Sequence, residues 1–70
     1  MNIKLLKAQM ALNGKKTSEV AKLLGISKSA MYRKLNGNSD FTRKEICRLI
    51  TCLGIETEKA MDIFFELKVS

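Results

Sequence analysis

The chain of 70 residues has no histidine, no tryptophan and no proline, and only two cysteines, one tyrosine and four glycines. Each shortage excludes something. Without histidine the commonest general base and a common metal ligand are missing. No serine or cysteine has an evident base partner and no glycine-rich phosphate loop is present, so the expectation is a protein that is not an enzyme and needs no cofactor or metal. Cys47 and Cys52 stand five apart, a spacing that fits no zinc pattern. On a helix they would lie about 140° apart, unable to pair easily. They are expected to be small buried or half-buried hydrophobes in a reducing compartment. No apolar run approaches the roughly 18 residues of a membrane span. Lys4 and Lys7 interrupt the apolar residues at the N-terminus, where a signal peptide would need an unbroken core. A cytoplasmic location is expected, with no membrane and no small-molecule ligand. With no proline turns and no sustained alternation of apolar and polar residues, strands find little support.

What is present is charge, unevenly spread. Residues 1–36 carry eight lysines and arginines against one acid, Glu19, whereas residues 37–70 carry five against six. The net charge of +6 therefore belongs to the first half. A one-sided basic field points to a polyanionic partner, most often nucleic acid.

The glycines, Gly14, Gly25, Gly37 and Gly54, divide the chain into helix-sized pieces, as C-terminal stop signals do. The first piece, about Asn2 to Asn13, has two apolar faces, Ile3/Leu6/Met10 and Leu5/Ala8/Leu12. The second, about Thr17 to Leu24, turns Val20, Ala21 and Leu24 inward, with Thr17 and Ser18 as good N-terminal residues. The third, from Ser27 or Lys28 to Asn36, is thinly apolar: Ala30, Met31 and Leu35. The fourth opens on a capping box, Thr42 to Glu45, behind a Phe41 staple, and keeps Ile46, Leu49, Ile50 and Leu53 in register. The fifth, about Thr57 to Leu67, carries Ala60, Ile63, Phe64 and Leu67 as one stripe, with Met61 and Phe65 extending it sideways. Residues 68–70 are expected to fray. The whole chain, 1–70, reads as a single domain of compact all-α architecture.

Pieces two and three have the physics of a helix-turn-helix. Ala21 is small enough for a close crossing, Gly25 takes the turn, Ile26 plugs it, and Val20, Leu24, Met31 and Leu35 make the seam. The segment LLGISKSAMYRKLNG resembles the fingerprint of the Cro and phage-repressor helix-turn-helix family, also called the xenobiotic-response-element family. The similarity covers about Leu6 to Phe65, and the run RKLNG followed by Phe-Thr-Arg-Lys-Glu resembles small phage or mobile-element regulators of Gram-positive bacteria. Departures fall at Lys15, where an apolar residue is common; Lys16, where a capping Ser or Thr is common; Thr17, where Gln is usual; and Lys34, in an apolar slot.

The resemblance implies a five-helix lambda-repressor-like fold and a sequence-specific transcriptional regulator of double-stranded DNA, Cro-like and a repressor. It places helix 28–36 in the major groove with Ser27, Lys28, Ser29, Tyr32 and Arg33 at the bases. Phosphate contacts would come from Lys15, Lys16, Thr17, Asn36, Asn38, Ser39 and Arg43. Arg33 could instead pair with Glu19 or Asp40, while Lys22 and Lys34 are expected to be solvated. One such module buries only about 600–1,000 Å² on DNA, so a homodimer is expected, with Met61 and Phe65 at its interface. An antitoxin or a protein-interaction module on the same fold is the alternative.

Overall fold

The computed structural model describes residues 1–65 and contains five helices in chain order. They are α1 (Ile3–Leu12), α2 (Thr17–Leu24), α3 (Lys28–Leu35), α4 (Arg43–Leu53) and α5 (Thr57–Ala60), the last running on as a π-helical turn, Met61–Phe65. No strand occurs among the described residues. The all-α reading is therefore met, with the limits of the first four helices within a residue or two of those legible in the sequence. Leu67 and residues 68–70 lie outside the described residues.

Local signals set most boundaries. Asn2 Oδ1 accepts the Leu5 N–H at 3.1 Å and Ser27 Oγ accepts the Ala30 N–H at 3.1 Å, so each supplies the acceptor that a helix start leaves wanting. Thr42 and Glu45 form the full reciprocal box: the Glu45 N–H donates to Thr42 Oγ1 at 3.2 Å, and the Thr42 N–H donates to Glu45 Oε1 at 2.8 Å. The helix-turn-helix turn closes on Gly25, whose φ of 70° is left-handed. There the Gly25 N–H donates to Lys22 O and the Ile26 N–H to Ala21 O, which answers two carbonyls left open at the end of α2. Ile26 is thereby turned back against the core.

One core draws on every helix: Leu6 and Met10 of α1, Val20, Ala21 and Leu24 of α2, Met31 and Leu35 of α3, Leu49 and Leu53 of α4, and Ala60, Ile63 and Phe64 at the end. Phe41 and Ile55 fill it from the connections. α2 packs against α3 and α4, and α1 against the π-helical turn. The Asn2 N–H donates to Ile63 O at 2.6 Å, tying the start of the described chain to its end.

Four expectations are corrected. The fifth piece is not α-helical throughout: its hydrogen bonding widens to the π form from Met61, where Ile63 is held by Asn2 as well as by the core. Cys47 and Cys52 are not buried or half-buried but exposed, as free thiols. The inward stripe of α4 is Glu45–Leu49–Leu53, with Ile46 and Ile50 only half-buried at its side. That arrangement leaves Cys47 about 160° from the middle of the stripe and Cys52 at its margin. Finally, Lys34 is not solvated. It is half-buried and paired with Glu45.

Candidate nucleic-acid interface

α3 buries Met31 and Leu35 and half-buries Ala30 and Lys34. At about 100° per residue, these four occupy one side of the helix. The other side holds Lys28, Ser29, Tyr32, Arg33 and Asn36, all exposed. Within that side are two rows. Lys28, Tyr32 and Asn36, spaced by four, lie along one edge; Ser29 and Arg33, also spaced by four, lie along the next.

The first row borders a groove of ≈ 580 Å³. Its opposite wall is Lys7, Met10 and Ala11 of α1, and its end is closed by Lys15, Lys16, Thr17 and Ser18 at the entry to α2. Four lysines and no carboxylate line it. The only acid nearby in sequence, Glu19, is engaged: its Oε1 accepts the Lys16 N–H at 3.1 Å. Such a cleft, cationic and furnished with hydroxyl and amide donors, suits a phosphate chain.

The residues expected to touch DNA are thus sorted by the tertiary structure. Lys15, Lys16, Thr17, Lys28, Tyr32 and Asn36 come together around the groove. Ser29 and Arg33 face outward beside it. No hydrogen bond or ion pair joins Arg33 to Glu19 or Asp40 among the described residues, so the pairing alternative for Arg33 is not realised. Ser27 stands at the head of α3 with its hydroxyl oxygen accepting the cap bond, which leaves the hydroxyl hydrogen and one lone pair for another partner. Asn38 is exposed just past α3, its N–H bonded to Arg33 O at 2.9 Å. Ser39 lies elsewhere, in a small depression with Met1 and Ile3 at the other end of α1 from the groove. Arg43 is exposed at the first position of α4 and does not line the groove. Two polar groove residues, Lys7 and Ser18, were not among the expected contacts. Lys7 carried no motif signal, and its only clue was its position one turn before Ala11 on a two-faced helix.

The exposed polar side of α3 and the cationic groove adjoin one another, above a helix-turn-helix seam that is buried. A family model described as the BetR domain matches residues 2–64. The chain belongs to the BetR-domain family. This is a family of helix-turn-helix DNA-binding domains. No curated protein and no solved structure matches the chain. The matched span takes in all five helices, so the BetR domain here includes the α1 wall of the groove as well as the helix-turn-helix itself.

Among the described residues there is no cluster of three or more side chains able to hold a metal ion, and no helix long and apolar enough to cross a membrane. Met61 and Phe65 are both exposed, 40% and 57%, on the π-helical turn. Leu12 at the end of α1 is more exposed still, at 79%.

Proposed function

We propose that this BetR domain is a sequence-specific regulator of transcription that binds double-stranded DNA with α3 in the major groove. The observation that carries the reading is the pair of rows on α3 beside a groove lined by four lysines and no acid. In this reading Lys28, Ser29, Tyr32 and Arg33 face base edges, with Ser27 at the rim. Arg33 and Lys28 donate to guanine acceptors, and Tyr32 meets a thymine methyl or the backbone. Lys7, Lys15, Lys16, Thr17, Ser18 and Asn36 take the phosphates of one strand, while Asn38, Ser39 and Arg43 reach the backbone beyond α3.

Two modules related by a two-fold axis read half-sites roughly 34 Å apart. Met61 and Phe65 supply the apolar patch that joins them. The role is that of a Cro-like repressor of a phage or mobile element, without catalysis and without a cofactor, acting in the cytoplasm. The fingerprint around Gly25 supports this role.

Selection from a random duplex library at near-physiological salt tests the reading. A palindromic motif with half-sites one helical turn apart is expected. A single half-site would remove the dimer. Weak binding to every sequence would remove the specificity, and no binding would shift the function to protein recognition on the same fold.

A further inference from the structure

α3 is held by a narrow stripe, yet its exposed rows are useful only if its tilt is fixed. Its first end is tied to α2 by the short Gly25 turn. Its last end leads into residues 36–42, a connection without regular structure. Lys34 bridges that connection. Its Nζ donates to Asp40 O at 2.8 Å and to Glu45 Oε1 at 2.9 Å, and lies 5.6 Å from the centre of the buried Phe41 ring. The same Glu45 oxygen accepts the Thr42 N–H that begins α4. One ammonium thus joins the recognition helix, the connection and the first turn of α4. Both side chains are 12% exposed. Lys34 sits on the side of α3 away from the Lys28 and Arg33 rows, so it does not face what those rows would touch.

We propose that Lys34 and Glu45 are positioning residues for DNA reading: their ion pair sets the angle at which α3 presents Lys28, Ser29, Tyr32 and Arg33. The proposal rests on the DNA-binding reading above. It distinguishes itself from two simpler roles by the sign of the effects. A lysine on phosphate would, when removed, weaken every duplex and flatten the salt dependence. A glutamate acting only through its charge would, when removed, tighten every duplex, because the net positive charge rises. A clamp predicts neither: losing either partner harms the preferred sequence and spares the rest.

The test compares the wild-type protein with K34M, K34R and the isosteric E45Q, at a temperature where circular dichroism shows all four fully folded. Dissociation constants are measured for the selected duplex and for a scrambled duplex of equal length over a range of salt. K34M and E45Q are expected to lose about ten-fold on the selected duplex, the size of one misplaced base contact. They should stay within about two-fold of wild type on the scrambled one, with an unchanged salt slope. K34R, which keeps the charge and the donors in a larger, planar head, should recover part of the loss. Equal losses on both duplexes, or tighter binding of both by E45Q, would overturn the clamp. So would wild-type discrimination in K34M and E45Q, and the DNA-binding reading would then stand without it. A wild-type protein that prefers no sequence would overturn both together.

Discussion

The N–H of Lys16 donates to the Glu19 carboxylate at 3.1 Å, so α2 begins with half of a capping box. The other half is absent because a lysine side chain has no acceptor to offer the first turn. Thr17, which could accept, comes one residue too late. The helix gives up a cap where a lysine borders the groove.

Lys16→Ser should therefore have two opposite effects. The hydroxyl completes the box and stabilises the fold by about 1 kcal/mol, a rise in Tm of roughly 4–8 °C. Binding should weaken on all duplexes alike, with a salt slope shallower by about 1 per protomer. Thermal denaturation and a salt titration check both. A variant no more stable than wild type would mean that α2 is already satisfied at its start.

Glu45 sets an acid limit on stability. Burial pushes its carboxyl up, but the Thr42 N–H, the hydrogen bond and charge of Lys34 and the Thr42 hydroxyl outweigh burial and hold it below the ordinary glutamate value of 4.5. A depressed native value means that the folded state holds the proton less tightly than the unfolded one. The contribution is present above pH 4.5 and is lost as the pH falls through the native value. In E45Q this part of the acid loss should vanish, leaving a flatter curve of stability against pH. An identical curve in wild type and E45Q would assign the acid loss to other carboxylates.

Gly25→Ala should cost about 1–2 kcal/mol, the conformational penalty of a left-handed backbone with a Cβ. Crowding adds little, since the nearest atom to that Cβ is Arg48 Nη1 at 3.9 Å, the end of a flexible side chain. Urea denaturation reads the difference. A loss above about 3 kcal/mol would show that the turn packs more tightly than this.

The rows of α3 predict different phenotypes. Arg33→Ala should harm the selected duplex more than a scrambled one, as loss of a base contact does. Lys7→Ala and Lys16→Ala should weaken both equally. Lys28, which shares its row with the groove, should show a mixture: a larger loss on the selected duplex with some loss on the other. With about six phosphates neutralised per dimer, log affinity should fall against log salt with a slope near −5. Purely equal losses for Lys28→Ala would place its ammonium on the phosphates alone.

Phe65→Asp should leave a folded monomer if the π-helical turn is the dimer contact, because the residue is already 57% exposed. Sedimentation of wild type and variant reads this, and a monomeric wild-type protein would remove Met61 and Phe65 from that role.

Much of this protein was legible in the linear sequence, for one physical reason. Caps and helix stops act within about five residues: Asn2 to Leu5, Ser27 to Ala30, Thr42 to Glu45, Gly25 and Ile26 back to Lys22 and Ala21. Their chemistry is carried by the residues that form them, so five helices, the helix-turn-helix seam and the polar side of α3 could be read directly.

What the tertiary structure decided involves partners distant in sequence. Lys34 reads as a solvated lysine until Asp40, Phe41 and Glu45 are folded around its ammonium. Cys47 and Cys52 pass for core residues until the fold turns Glu45, Leu49 and Leu53 inward and leaves both thiols exposed. Lys7 joins the basic cleft only because the fold brings residues of α1 and α3 to the lining of one groove, and Ser39 leaves it because the connection after α3 runs to the far end of α1. Periodicity records which side of one helix is apolar. It holds no information on which neighbour a charge will meet, because that depends on the docking of whole helices around a shared core.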